Sequence, residues 1–337
     1  MDYEIFDLGD VTLQSGATLP SAFLAYKTYG QLSEKKDNVI VYPTAFGDQH
    51  VQNEWLIGEG MALDPQKYFI IVPNLLGNGL SSSPSNTPPP FDKANFPQVT
   101  VFDNVQFQYR LVTEKFGIEK IALVVGWSLG GIQAFQWGAS YPEMVERIAP
   151  IAGMAKTWPQ TYLVLEGMRA PLMAAARFDA SKLNELTSAD MRAVGRVYAG
   201  WGLSQAFYRE GLYRELGFDS VADFMTGVWE DSFMKMDPHN VLAMLSTGIH
   251  ADISANPVYN GDFEKALGSI KALAYIMPGS TDLFCPAADN KYEVERMPHA
   301  VYKPIASIWG HFAGRGINRV DNQFIDDNLK RLLALHH

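Results

Sequence analysis

Short runs of almost unbroken apolar residues recur along this chain, and they limit its architecture more than any other feature. They are Asn38 to Pro43 (NVIVYP), Tyr68 to Pro73 (YFIIVP), Ile121 to Gly126 (IALVVG), Arg147 to Ile151 (RIAPI), Lys271 to Pro278 (KALAYIMP) and Ala300 to Ser307 (AVYKPIAS). A strand apolar on both faces needs cover on both faces, as in a parallel sheet sandwiched between helices. Helical periodicity fits between several runs. Asp103 to Phe116 puts Val105, Tyr109, Val112 and Phe116 on one stripe, with Asp103 as the expected N-cap. The alternation predicts a doubly wound α/β sheet. Residues 3–29 read as short alternating strands broken at Gly9 and Gly16, an antiparallel opening to that sheet.

From about Thr157 to Lys265 the pattern turns helical and rich in Trp and Met, including Trp201, Met225, Trp229, Met234, Met236 and Met244. The expectation is a core of residues 1–156 and 266–337 with a helical cap, 157–265, inserted between two late strands. A second packed domain without a catalytic role is the competing reading. Ser81 to Pro90 reads as a surface loop near the sheet edge.

Composition removes other classes. Net charge is −10 with 19% charged residues and no long single-sign run, so a basic footprint for a phosphate backbone is missing and nucleic acid is not expected as a partner. Cys285 is the one cysteine, which rules out an internal disulfide and a Cys/His zinc cluster. No segment reaches the roughly 20 apolar residues that span a bilayer, and Met1-Asp2-Tyr3-Glu4 has no basic n-region. A soluble cytoplasmic protein is expected, with no membrane partner. His336 and His337 carry no weight.

The strongest local signal is Gly126-Trp127-Ser128-Leu129-Gly130-Gly131, between the apolar run ending at Val125 and an amphipathic stretch, Ile132 to Tyr141. Strand, tight turn and helix are the context of a Gly-x-Ser-x-Gly nucleophile elbow. The glycines are expected where the turn brings backbones too close for side chains, and the helix start aims amides at the serine. A serine hydroxyl needs a base, and the base an orienting carboxylate. Asp282, just past KALAYIMP, and His311, after the last apolar run, follow Ser128 in the order acid then histidine. The gaps are 154 residues (282 − 128) and 29 residues (311 − 282). His299 precedes a strand and so falls at the wrong end of the sheet, and His239 and His250 fall in the cap as capping or surface residues. Two backbone amides should form an oxyanion hole, one from Leu129 and one from Ala45 or Phe46. Cys285 is expected as a buried or pocket-lining thiol.

With Ala45-Phe46-Gly47-Asp48 and His50, Leu56-Ile57-Gly58, Ala62-Leu63-Asp64, Pro73-Asn74-Leu75-Leu76-Gly77, the elbow with Gln133, Glu166-x-x-Arg169, Gly279-Ser280-Thr281-Asp282 and Gly310-His311, the chain resembles the homoserine O-acetyltransferase group of α/β-hydrolase-fold proteins over most of its length. The resemblance implies the α/β-hydrolase fold, a mostly parallel central sheet flanked by helices with an inserted helical cap. It also implies an acyl-enzyme on a Ser/Asp/His triad, no metal or cofactor, and a homodimer joined through the cap. It further implies that Arg169 grips a substrate carboxylate, as a guanidinium does through paired hydrogen bonds; an ion pair with Glu166 on the cap surface is the alternative. Departures are concentrated around the acceptor pocket. Phe312 stands where the group's acetyltransferases carry an aspartate for the amino group of homoserine, Tyr42-Pro43-Thr44-Ala45-Phe46-Gly47 replaces their Asn-His-Ala-Leu-Thr-Gly, and Gly77-Asn78-Gly79 replaces Gly-Gly-Cys. The expected activity is therefore hydrolysis of an ester or amide of a small carboxylate-bearing substrate. Homoserine O-acetyl transfer from acetyl-CoA is the runner-up, and a non-catalytic binding protein on the same fold a remote third.

Overall fold

The apolar runs become the parallel part of one eight-stranded sheet in the computed structural model, which describes residues 2–174 and 179–335. The strands are β1 (Glu4–Thr12), β2 (Thr18–Tyr29), β3 (Val39–Val41), β4 (Phe69–Pro73), β5 (Leu123–Trp127), β6 (Arg147–Ile151), β7 (Leu273–Ile276) and β8 (Ala300–Tyr302), in the spatial order β1-β2-β4-β3-β5-β6-β7-β8. From β4 through β8 all pairings are parallel, while β1–β2 and β2–β4 are antiparallel. Strands β3, β4, β5 and β6 are buried at every position, as runs with two covered faces require. Gly9 marks a register shift in β1–β2, with φ of +67°, and Gly16 (φ +83°) lies in the turn between the two strands.

Helices α1 (Val101–Arg110) and α2 (Leu129–Ser140) flank the sheet. The helix expected from Asp103 starts earlier: Thr100 is its N-cap and Asp103 the third residue of a capping box, its Oδ2 accepting from the Thr100 amide at 2.9 Å. Between β6 and β7 the chain runs through α3 (Pro159–Met173), α4 (Met191–Gly202), α5 (Gln205–Glu210), α6 (Val221–Phe224), α7 (Asp231–Met234) and α8 (Pro238–Ile249), and then α9 (Phe263–Gly268). Helices α10 (Ala287–Val294) and α11 (Arg319–Leu333) complete the flanks. No described helix is long and apolar enough to cross a membrane. His336 and His337 lie outside the described residues.

Two local expectations are corrected. Ser81–Ser83 are buried rather than on the surface: the hydroxyls of Ser81 and Ser82 each accept a β2 amide, from Ala25 and Phe23, at 2.9 Å. They supply acceptors for β2 beyond the point where β4 ends, so polar residues there satisfy backbone rather than meet water. His239 is likewise buried, with Nε2 2.7 Å from the Leu183 carbonyl.

Candidate active site

Ser128 sits where β5 ends and α2 begins, with φ +54° and ψ −121°, a conformation rare for a residue with a side chain. Close approach explains the flanking glycines. A Cβ on Gly126 would lie 2.3 Å from the Gly130 carbonyl carbon, and one on Gly130 would lie 2.6 Å from the Pro43 oxygen. The tight turn leaves the serine hydroxyl at the carboxyl end of the strand, where it meets two residues that arrive from far along the chain.

His311 Nε2 lies 2.8 Å from Ser128 Oγ, and His311 Nδ1 lies 2.7 Å from Asp282 Oδ2. Asp282 Oδ1 accepts from the amides of Phe284 and Cys285 at 2.8 and 2.9 Å. With the carboxylate accepting Nδ1–H, the Nε2 lone pair is free to accept the serine proton. The imidazole is fully buried, with Phe284 stacked at 4.7 Å and Trp127 tilted at 4.9 Å between ring centroids. Trp127 also donates its indole N–H to the His311 carbonyl at 3.0 Å. The acid and base loops are tied together: Thr281 Oγ1 donates to the Ser307 carbonyl at 2.8 Å and accepts the Gly310 amide at 3.2 Å. Each expected member of the Ser128, Asp282 and His311 set is thus within hydrogen-bonding reach of the next.

A second layer links the loop after β3 to the loop after His311. Asp48 and Arg315 form an ion pair, with Asp48 buried and the guanidinium 4.8 Å from the Trp127 ring centroid. Burial pushes the Asp48 carboxyl up to about 6, against the pull of Arg315.

Ser128 opens on an apolar cavity with about 490 Å³ of empty space, its open mouth included. Phe46, Trp127, Leu129, Ile132, Met154, Phe284 and Cys285 line it from the sheet side; Thr161, Leu165 and Met168 from α3, Tyr198 from α4, and Met244 and Gly248 from α8 line it from the insertion. Leu129, the first residue of α2, has an amide with no partner inside the helix. Phe46 lines the cavity, whereas Ala45 is buried just behind it beside Tyr42, Asp48 and Trp127. Asp282, Cys285 and His311 bring potential ligand atoms within 4.8 Å of one another. The carboxylate and imidazole are already bound to each other, and burial pushes the Cys285 thiol well up, so this trio disfavours a metal ion.

Arg169 does not line this cavity. Leu165 and Met168 turn toward Ser128, and the next residue of an α-helix points about 100° away. Arg169 instead pairs with Glu166 at 2.8 Å and borders a separate groove with Lys93, Phe96 and His239. Phe312 packs on Trp127, Tyr198 and Trp229 with centroids 5.8, 6.1 and 5.4 Å apart. Sequence reasoning did not reach Met154, Leu165, Met168, Tyr198 and Met244 as cavity residues. Met191, Val194 and Tyr198 show a buried helical stripe, but a stripe does not say which pocket it meets.

Comparison with known proteins places this arrangement. The profile of the α/β hydrolase fold family matches residues 38–177. An ethyl acetate hydrolase of Pseudomonas veronii is 37% identical over 335 residues, covering 98% of this chain and 95% of the relative. The chain belongs to the α/β-hydrolase fold family. Within it, this α/β-hydrolase falls in the homoserine O-acetyltransferase-like group: a homoserine O-acetyltransferase of Methanococcus vannielii is 30% identical over 341 residues, 90% of this chain and 68% of that one. The crystal structure of an acetylester hydrolase from Corynebacterium glutamicum superposes with a TM-score of 0.93 at 33% identity, covering 99% of this chain and 96% of that chain.

Proposed function

We propose that this α/β-hydrolase is a serine esterase for small, neutral, short-chain esters, acetate esters above all. The observation that carries the reading is a Ser128–His311–Asp282 hydrogen-bonded relay opening onto an apolar cavity. Ser128 Oγ attacks the ester carbonyl as His311 Nε2 takes its proton; His311 returns that proton to the departing alkoxide. A water deprotonated by His311 then releases the acid and regenerates Ser128. Asp282 holds the tautomer and balances the imidazolium. The amide of Leu129 and one from Ala45–Phe46 serve the oxyanion. Residues 157–265 act as a cap whose α3, α4 and α8 side chains exclude water.

The carboxylate-bearing substrate expected from Arg169 is replaced here by a neutral one. Arg169 is spent on Glu166 outside the cavity, and an anion among Ile132, Met154, Leu165 and Met168 would be buried without a partner. The aromatic packing of Phe312 offers no acceptor to a homoserine ammonium, which favours water over an amino-acid acceptor. The names of the ethyl acetate hydrolase and the acetylester hydrolase support the same substrate class. The test is hydrolysis of ethyl acetate and p-nitrophenyl acetate by wild type and Ser128→Ala, beside thiol release from acetyl-CoA with and without L-homoserine. Ester cleavage lost in Ser128→Ala and indifference to homoserine are expected; homoserine-stimulated thiol release refutes hydrolysis as the activity.

A further inference from the structure

The wall of the Ser128 cavity carries few hydroxyl or indole groups, and nearly all are occupied. Thr157 donates to the Gly248 carbonyl, Thr161 to the Phe284 carbonyl at 2.6 Å, Trp127 to the His311 carbonyl, and Ser128 is held by His311. The exception among the described residues is Tyr198. It is 8% exposed, lines the cavity, and its hydroxyl has no hydrogen-bond partner among the described residues. A phenol that lines a cavity with its hydroxyl unpaired by protein can pair with whatever fills that cavity. Burial raises the phenol, so it stays a protonated donor.

The Tyr198 ring contacts Phe284 at 5.7 Å, and Phe284 in turn stacks on the His311 imidazole at 4.7 Å. Tyr198 thus lines the cavity one aromatic ring away from His311, while the candidate oxyanion amides come from the start of α2 and the loop after β3. The group that exchanges a proton with His311 is first the departing alkoxide and later the water that takes its place.

We propose that the Tyr198 hydroxyl donates a hydrogen bond to the alkoxy oxygen of the bound ester and then holds the water that hydrolyses the acyl-enzyme. The inference rests on the esterase reading. In the first step the Ser128 Oγ–acyl bond forms, the acyl–alkoxy bond breaks, and the serine proton passes through His311 to the alkoxide. In the second, water gives a proton to His311, its oxygen bonds the acyl carbon, the acyl–Oγ bond breaks to free the acid, and Ser128 recovers the proton from His311. Tyr198 keeps its own proton throughout and acts by hydrogen bonding alone.

Tyr198→Phe keeps the ring, and with it the contacts to Trp229, Phe233, Phe284 and Phe312. The experiment measures kcat/KM for ethyl acetate, whose leaving group needs help, and for p-nitrophenyl acetate, whose leaving group does not. Loss of one hydrogen bond predicts about a tenfold fall for ethyl acetate, with p-nitrophenyl acetate nearly unchanged and a slower steady state after its burst. Unchanged ethyl acetate turnover overturns the proposal. An equal loss on both esters assigns Tyr198 to packing and overturns it too. A wild type that cleaves neither ester through Ser128 removes the esterase reading itself, a result distinct from either.

Discussion

Glu293 provides a test of how the insertion is joined to the sheet. This α10 residue is fully buried, and no ion pair reaches it among the described residues. Its Oε1 accepts the Ala155 amide at 2.9 Å and the Trp158 indole N–H at 2.8 Å, and its Oε2 accepts Asn290 Nδ2 at 2.8 Å. It thereby holds the segment that leads from β6 into α3. Burial pushes the carboxyl up to about 7, the three donors only partly opposing it. Moving a carboxyl from an ordinary 4.5 to about 7 costs the ionised folded state about 3 kcal/mol. The folded form holds the proton more tightly than the unfolded one. Stability therefore falls as pH rises through the window from 4.5 to about 7, and the loss is complete above it. Glu293→Gln cannot titrate. It leaves one donor short of an acceptor, a pH-independent cost of about 1 kcal/mol. Urea unfolding of both proteins at about pH 5 and pH 8 isolates the residue, because every other titrating group is common to the pair. Wild type should lose about 2–3 kcal/mol more than the variant between those conditions, and the variant should be the less stable of the two only at the acid end. Parallel pH profiles for the two proteins would refute the reasoning.

Two further changes probe the site. Asp282→Asn keeps an oxygen for the Phe284 and Cys285 amides but presents an amide to His311 Nδ1, so kcat for ester cleavage should drop about 10⁴-fold with circular dichroism unchanged; a loss below tenfold would remove Asp282 from the relay. Arg315→Met leaves Asp48 buried without its partner and should cost about 3–5 kcal/mol in urea unfolding, much of it recovered when Asp48→Asn is added; additive losses in the double variant would show that the pair is not coupled.

Much of the framework is legible in the chain because it is written in local rules. The apolar runs of β3 to β6 are read correctly because a doubly covered strand tolerates no polar face. Gly126 and Gly130 announce the turn at Ser128 because no other residue fits within 2.3–2.6 Å of the opposing backbone. Asp282 and His311 follow from strand order, since loops after parallel strands gather at one end of the sheet. Short-range chemistry was less faithfully read. The helix starts at Thr100 rather than Asp103 because Asp103 is the third residue of a capping box and bonds back to the Thr100 amide. Ser81–Ser83 looked like solvent-facing residues because a polar side chain that bonds backbone is indistinguishable in sequence from one that bonds water.

The parallel sheet, the elbow and the residues that meet there are readable from the chain alone, because periodicity and glycine spacing are properties of neighbouring positions. What surrounds Ser128 is set by packing between distant segments. Met168 and Arg169 are adjacent in the chain, yet one lines the cavity and the other pairs with Glu166 outside it, a choice set by how α3 is rotated against the sheet. Tyr198, Met244 and Phe284 converge on the same space from segments far apart, and contacts between distant segments leave no trace in local sequence pattern.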